Sequence, residues 1–511
     1  MKNTMFLFLS MLMLATYGCK QGEVNSPKGS VTLNYTEYSI SVDESFQLKA
    51  TVSDGTEGTL QYISSDDAIA TVFLDRVTGR SIGICNVIAK VGKDSAVCRV
   101  TVTAPPVVAE QPKSVKRGVG FSFSNPSDVP VLGQGVSWFY TWGNSISSNL
   151  EAVIAENDVM FVPMFWNGVD AGGSDRVRAY KQRHPELEYI LGFNEPNLTD
   201  QANMTPAQCA PKWRQLMTLA DELDMKLVSP AMNYGTLSGY SDPERWLDEF
   251  FQLVPLSSVD AIAIHCYMPS SGSVIGYINK FRKYNKPIWL TEFCAWDGFN
   301  GGVSGQMVYM SEILNFLEAE PMMERYAWFI PRGNEGDNVK PWNKLLKFSG
   351  SELLPLGKVY IGASSQDKTI WANAGEKIEA EHFTKCSVNE YVDNGRTGEI
   401  NNFHYLPTTD VNGNLEISDF LPNRWIEYQI NVAEAGNYDL AVRYANFNDS
   451  GVEITIDGAN PVDYLLQKTG DFNIWKTEKI TLNNLASGHL TLRLRLKSGR
   501  LHINWLQFTK K

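Results

Sequence analysis

The stretch that decides the fold is E188-YILGFNEPN-197, an apolar run that stops abruptly on Asn194-Glu195-Pro196-Asn197. A short buried strand followed by polar residues is its simplest reading. Seven further runs share that character: GVGFSF (118–123), VSWFYTW (136–142), VMFVPMFW (159–166), KLVSPAMN (226–233), AIAIHCYM (261–268), PIWLTEF (287–293) and RYAWFI (325–330). Amphipathic helical stretches lie between several of them, such as TPAQCAPKWRQLMTLADELD (205–224) and SGQMVYMSEILNFLEAE (304–320). Strand and helix alternating eight times predict an α/β fold, a (β/α)8 TIM barrel over residues 117–361. A doubly wound open sheet is the competitor. No Gly-rich loop follows any of the strands, which argues against a nucleotide-binding version of it.

The segments around this unit differ in pattern. Residues 30–103 alternate with period two, as in YSISVDESFQLKATV (38–52) and DSAVCRVTVT (94–103), and predict a small β-sandwich. A Pro-rich stretch, APPVVAEQPKSVK (104–116), reads as a semi-stiff linker. Residues 372–511 return to strands, including RWIEYQINV (424–432), HLTLRLRL (489–496) and HINWLQF (502–508), and predict a second, larger sandwich. At the N-terminus, MKNTMFLFLSMLMLATYGCK has a basic residue, an apolar stretch too short for a bilayer, then Gly18-Cys19. It resembles a bacterial lipoprotein signal over residues 1–19, with Cys19 the lipidated residue; an ordinary secretory signal is the alternative. The resemblance implies a protein exported and lipid-anchored at the outer membrane or cell surface, the alternative being periplasmic or secreted.

Bulk numbers narrow the partners. A formal net charge of −12 over 511 residues, with no basic cluster, excludes a nucleic-acid footprint. The 13 Trp, 21 Tyr and 24 Phe suit either sugar stacking or core filling. No CxxC pair or Cys/His cluster suggests a metal, and the cysteines other than Cys19 have no pairing that spacing alone assigns.

Working groups in a (β/α)8 barrel sit at the C-terminal ends of its strands. The fourth run ends at Asn194-Glu195 and the seventh at Thr291-Glu292, while the sixth offers His265 and Tyr267 on one face. Two carboxylates facing each other across a barrel mouth are what glycoside hydrolysis requires. Glu195 is then the acid/base and Glu292 the nucleophile, with the charge of Glu292 expected to raise the pKa of Glu195. Asn194 is placed to donate a hydrogen bond to the sugar 2-hydroxyl, Tyr267 to hold Glu292 ionised, and His265 to support. No cofactor is required for this chemistry. Asn-Glu-Pro also fits a helix start, with Asn194 capping and Pro196 in the first turn. Trp138, Trp142, Trp166, Tyr234, Trp296 and Trp328 are the aromatic candidates for sugar platforms, with Trp166 and Trp328 favoured by their places near strand ends.

Three resemblances sharpen these expectations. GFNEPN (192–197) and LTEFCAW (290–296) look like the acid/base and nucleophile motifs of clan A glycoside hydrolases. With FVPMFW (161–166), SPAMN (229–233), AIAIHCYM and YAWFI (326–330), the region resembles glycoside hydrolase family 128. That resemblance implies a retaining endo-β-1,3-glucanase acting on laminarin-like or curdlan-like β-glucan polysaccharide or oligosaccharide, with Glu195 and Glu292 in the roles above. Another neutral glycan, β-mannan or xylan, and a non-catalytic glycan-binding lipoprotein are the alternatives. LQYISSDDAIATVFLDRVTGRSIGICNVIAKV (60–91) resembles a bacterial immunoglobulin-like (Ig-like) group 2 domain. IEAEHF (378–383), residues 424–446 and INWLQF (503–508) resemble a family 6 carbohydrate-binding module, a jelly-roll β-sandwich. That likeness implies a structural Ca²⁺ at Glu379, Glu381 and Asn504. It also implies a sugar cleft between two aromatics, where Phe472 stands in place of the usual Trp and His502 in place of the usual Asn.

Overall fold

The computed structural model describes residues 30–511 except 55, 106, 297, 334–339, 388–402, 412–413 and 458. The signal segment, including Cys19, therefore lies outside the described residues. The chain divides into two compact units, Met1–Pro105 and Pro106–Lys511.

The first unit is β-rich. One four-stranded sheet runs in the order Glu37–Ser41, Asp94–Thr103, Gly83–Val91, Gln61–Ser64, and a three-stranded sheet joins Ser45–Gln47, Arg76–Gly79 and Ala70–Phe73. The period-two pattern does what it predicts: Cys98, Val100 and Val102 point inward from one strand, Cys85, Val87, Ala89 and Val91 from the next.

The second unit opens with eight short parallel strands: β1 Arg117–Gly120, β2 Trp138–Tyr140, β3 Met160–Phe161, β4 Tyr189–Leu191, β5 Lys226–Val228, β6 Ile262–Cys266, β7 Ile288–Phe293 and β8 Met323–Trp328. Six form one sheet in the order β3-β2-β1-β8-β7-β6, and β4 pairs with β5. Single parallel bridges join the two groups, Met164 to Leu191 on one side, Val228 to Ala261 and Met232 to Ile264 on the other. Thus the first and last strands are hydrogen-bonded neighbours, and no doubly wound open order is seen. The connecting helices include α1 Ala171–Arg183 after β3, α2 Pro206–Leu223 after β4 and α3 Gly302–Ala319 after β7. Tyr189, Trp138 and Trp289 fill the space enclosed by the strands, with the Arg325 guanidinium stacked 4.8 Å from the Trp289 ring centre. Trp138, read from sequence as a sugar platform, is therefore a core residue, its indole N–H donating to the Lys116 carbonyl.

The remaining strands make two sheets of mainly antiparallel order, one centred on Trp425–Val432 and Gly488–Ser498, the other on Gly436–Asn446 and Leu501–Lys510. Ile426, Tyr428, Ile430 and Val432 alternate into the core between them. The sandwich is bonded directly to the parallel unit: Ser311 of α3 accepts from the Tyr405 backbone N–H, and Ser364 donates to the Phe383 carbonyl. The stretch read as a semi-stiff linker is tied down along most of its length. Ala109 donates to the Lys377 carbonyl at 2.8 Å, and the Lys113 ammonium donates to the carbonyls of Gly133, Asn157 and Asp158. The Lys116 ammonium likewise donates to the carbonyls of Leu317, Glu318 and Glu320. All six cysteines from Cys85 to Cys386 are buried, and among the described residues none forms a disulfide.

Candidate active site

The chain around Glu195 departs from the helix-start reading. The helix α2 begins eleven residues later at Pro206, where Thr205 and Gln208 bond each other's backbone N–H groups in a capping box. Between Glu195 and that cap the chain makes turns, with Leu198 N–H donating to the Glu195 carbonyl. Pro196 cannot donate a hydrogen bond, which suits a turn as well as it suits a helix. Glu195 itself has φ of 44°, a left-handed conformation that costs a non-glycine residue of order 1 kcal/mol and recurs at functional sites. Trp142, at φ 58°, shares it.

Strand register brings the key groups together. His265 of β6 lies directly opposite Glu292 of β7 in the parallel pairing, and Asn194 bridges to Ala231 beyond β5. One ring nitrogen of His265 and one oxygen from each of Glu195 and Glu292 lie within 4.8 Å of one another. All three side chains are buried, yet both carboxylates line a cleft of 740 Å³ with Trp142, Trp166, Tyr267 and Trp296. The two carboxylates are held by different partners. Glu292 Oε1 accepts from the Tyr140 hydroxyl at 2.8 Å and the Trp142 indole at 2.7 Å, and its Oε2 accepts from Tyr267. Glu195 Oε1 accepts from the Asn233 amide at 2.9 Å and bonds His265 Nδ1 at 2.9 Å. His265 Nδ1 is also 3.4 Å from Glu292 Oε2, so this nitrogen carries a proton between two acceptors.

These contacts reverse one expectation. Burial pushes Glu195 up, but the charge and hydrogen bond of His265, with the Asn233 amide, outweigh it and hold the carboxyl below its usual range. Burial likewise pulls His265 down, while the charges of Glu292 and Glu195 raise it above the ordinary imidazole value. The interposed imidazole, not repulsion between the carboxylates, dominates the field at Glu195. The same trio is within reach of a metal ion, but three of the acceptor positions on Glu292 already take Tyr and Trp donors.

Of the aromatic candidates, Trp142, Trp166 and Trp296 line the cleft; the Lys340 ammonium covers one face of Trp296. Trp328 does not: it is fully buried, its indole donates to the Asn343 carbonyl, and its ring packs on Phe293 and Tyr360. It ends β8 on the outer side, against the helices. Tyr234 is 44% exposed and packs on Tyr277, outside the cleft lining. Sequence reasoning missed Tyr140, Asn233 and Gln201. Tyr140 looks like core in an aromatic run, and Asn233 ends the fifth run with no carboxylate to mark it. Gln201 sits in a turn without motif, where its Oε1 accepts from Asn194 Nδ2 at 3.1 Å.

Residues 118–360 match the family model described as glycosyl hydrolase catalytic core. The parallel unit is a glycosyl hydrolase catalytic core. Among solved structures, it shares 35% identity with a GH128 (subgroup II) endo-β-1,3-glucanase from Pseudomonas viridiflava, covering 49% of this chain and 98% of that one at a TM-score of 0.45. A second GH128 (subgroup II) endo-β-1,3-glucanase, from Sorangium cellulosum, is 32% identical, covering 48% and 97% at a TM-score of 0.43. Alkali-sensitive linkage protein 1 of Schizosaccharomyces pombe is 28% identical over 242 residues, 45% of this chain; the chain spans 41% of that curated relative's length.

The C-terminal sandwich matches the carbohydrate-binding module of family 35 over residues 396–508, where the motif resemblance pointed to family 6. In it, Phe472 and His502 stack on each other with ring centres 4.3 Å apart, which leaves no slot for a sugar between them. His502 Nδ1 is bonded to Glu416 at 2.8 Å, so the residue in the Asn position is committed to a neighbouring acid. Glu379, Glu381 and Asn504 are buried, and among the described residues Glu379 Oε2, Glu381 Oε2 and Asn504 Oδ1 have no hydrogen-bond partner. Burial, with the charge of Glu379, pushes Glu381 well above the usual carboxylate range; burial raises Glu379 too, against the Lys377 ammonium 2.7 Å from its Oε1. Unpaired buried oxygens of this kind fit a hard cation.

Proposed function

We propose that this chain is a retaining endo-β-1,3-glucanase whose catalytic core is a compact (β/α)8 barrel closed by single bridges. The observation that carries the reading is the pair Glu195 and Glu292, one oxygen of each within 4.8 Å in the floor of an open cleft. Carboxyl groups about 5 Å apart leave no room for an intervening water and suit a covalent intermediate; inverting enzymes need a wider gap. In the first step Glu292 forms a bond to the anomeric carbon as the glycosidic C–O bond breaks, and Glu195 gives its proton to the departing oxygen. In the second, Glu195 takes a proton from water as that water attacks the anomeric carbon and releases Glu292. Glu195 Oε1 is pinned by Asn233 and His265, which leaves Oε2 to carry the exchanging proton. Trp166, beside Asn194 in the cleft, offers an aromatic face to a glucose ring.

β-1,3-Glucan as substrate rests on the motifs quoted above, and the two endo-β-1,3-glucanases that are about a third identical over half of this chain agree with it. We further propose export as a lipoprotein through Cys19, an Ig-like spacer at residues 30–103, and a structural Ca²⁺ held by Glu379, Glu381 and Asn504. In the last case the cation adds to the Lys377 ammonium beside Glu379 in offsetting two buried acids and has no part in the reaction. The test is hydrolysis of laminarin, curdlan, mannan and xylan by the full chain and by Glu292→Ala, following the anomer first released. Activity surviving Glu292→Ala overturns the mechanism; α-anomer released first overturns retention; action on mannan or xylan alone overturns the substrate.

A further inference from the structure

One end of the N-terminal unit carries two large apolar side chains that its own core does not take in. Strands Ala70–Phe73 and Arg76–Gly79 pair with Phe73 opposite Arg76, so Leu74 and Asp75 form a two-residue turn. The turn is held in place: the Asp75 carbonyl accepts from the Leu48 N–H at 2.7 Å, and its carboxylate from the Gln47 amide at 2.7 Å. Leu74 has φ of 55°, at a position where glycine, asparagine or aspartate is usual. Phe73 is 79% exposed and Leu74 74%. A turn that faces only water gains nothing from either residue, since water disfavours both side chains and a β carbon at this φ is strained.

The path of the chain says what this end faces. Ser30 and Ser53 bond each other, and Ser53 follows Leu48 by five residues, so the chain enters the unit within about 20 Å of the turn. It leaves at the opposite end. There the Thr103 carbonyl accepts from Val42 and the Gly79 carbonyl from Asp43, beside the far end of the Arg76–Gly79 strand. Cys19 precedes Ser30 by eleven residues, a reach of at most about 40 Å. A lipid on Cys19 therefore keeps the Phe73–Leu74 end, and not the exit end, close to the bilayer.

We propose that Phe73 and Leu74 are a membrane-contacting wedge, inserted into the lipid surface beside the N-terminal anchor. This rests on the lipoprotein reading above. Apolar side chains on a rigid tip bind a lipid surface through the area they remove from water, and they orient the unit as a flexible tether alone does not. Arg76 and Lys49, both exposed beside the turn, suit the phosphate layer that such a wedge crosses.

The test holds the exported chain, residues 20–511, by an N-terminal His tag on phosphatidylcholine vesicles carrying a nickel-chelating lipid, which supplies the tether whether or not Cys19 is acylated. All 13 tryptophans lie at position 138 or beyond, outside this unit, so Phe73→Trp adds a reporter read as the difference from the parent. The expected result is an added emission about halved when the lipid is brominated at the upper acyl chain, and restored when Leu74→Ser is introduced as well. Ile82, 67% exposed next to Gly83, which pairs with Val102 at the exit end, gives the control: Ile82→Trp stays unquenched. Emission from Phe73→Trp that is alike in both lipids, or quenching equal at the two positions, overturns the proposal. An unmodified Cys19, read by mass spectrometry of the N-terminal peptide from cells, fails the lipoprotein reading, while the quenching result still decides the wedge.

Discussion

Replacing His265 by Gln tests how Glu195 gets its proton. Nδ1 of His265 lies 2.9 Å from Glu195 and 3.4 Å from Glu292, and the two carboxylates hold the imidazole above its ordinary value while Glu195 is held below its own. Glu195 and His265 therefore titrate as a pair, and the proton needed for acid catalysis belongs to both. Because the pair's last proton is kept to higher pH than an isolated imidazole keeps it, the basic limb of kcat/KM lies above about 6.5. In His265→Gln the pair is gone, and that limb falls toward an ordinary carboxylate near 4.3. Ordinary imidazole and carboxyl values differ by about 2 pH units, so the loss is of order a hundredfold well above both limbs and shrinks toward acid pH. Burial of Glu195 raises its pKa in the variant and reduces the loss, while the raised imidazole of the parent enlarges it. The assay is reducing-sugar release from laminarin between pH 4 and 9, read as the ratio of variant to parent at each pH. A basic limb that stays in place, or moves upward, refutes the shared proton.

Three other outcomes follow from the same geometry. Asn233→Ala removes a donor to Glu195 Oε1 and lowers kcat/KM by about ten- to a hundredfold, the range for a hydrogen bond to a charged group, with its melting temperature little changed; steady-state kinetics beside a thermal scan check this. Trp166→Ala raises KM for long oligosaccharides, whereas Trp328→Ala costs about 3–5 kcal/mol of stability as a cavity mutation, measured by denaturant unfolding; the opposite division of effects would return Trp328 to the substrate. Removing calcium with a chelator lowers the melting temperature, and Glu381→Gln abolishes the difference; at a cation concentration a hundred times Kd the stabilisation is about 2.7 kcal/mol, and a melt indifferent to calcium refutes the site.

The legible part of this molecule was the part that repeats. Eight apolar runs and the carboxylates ending two of them were visible because buried parallel strands demand unbroken apolar sequence, and a charge at the end of such a run stands out. What supports the carboxylates was not visible, because it comes from residue types that also build cores. Tyr140 and Trp142 belong to one aromatic run, where only the fold shows that their polar atoms turn toward Glu292. Trp328 ends a strand as Trp142 follows one, yet faces helices instead of the cleft. The period-two pattern of the sandwich predicted its faces, but not that Phe472 and His502 would close on each other. The end of the fourth run, where Glu195 precedes Pro196, also fitted a helix start because Pro, Asn and Glu serve caps and turns alike; Thr205 and Gln208, some ten residues on, form the cap.

The two glutamates differ less in burial than in whether their partners can change. Tyr140 and Tyr267 are raised well above the ordinary phenol value, by burial first and then by the charge of Glu292, and the Trp142 indole does not ionise near neutrality. Their three donors from β2, the loop after it and the end of β6 therefore stay protonated through the whole working range, and the charge they face is fixed. Glu195 faces one fixed donor, Asn233, and one that titrates, His265. A nucleophile must remain an anion until it attacks, while an acid/base must lose a proton and regain it within each turnover. A permanent donor set around Glu292 and an exchangeable one at Glu195 meet those two demands separately. In the mechanism proposed above, the negative charge of Glu292 disappears when the covalent bond forms, and with it one of the two charges raising His265. The site then releases a proton more readily at the step where Glu195 must become a base, a change built from the 3.4 Å contact between His265 and Glu292 and requiring no movement of either strand.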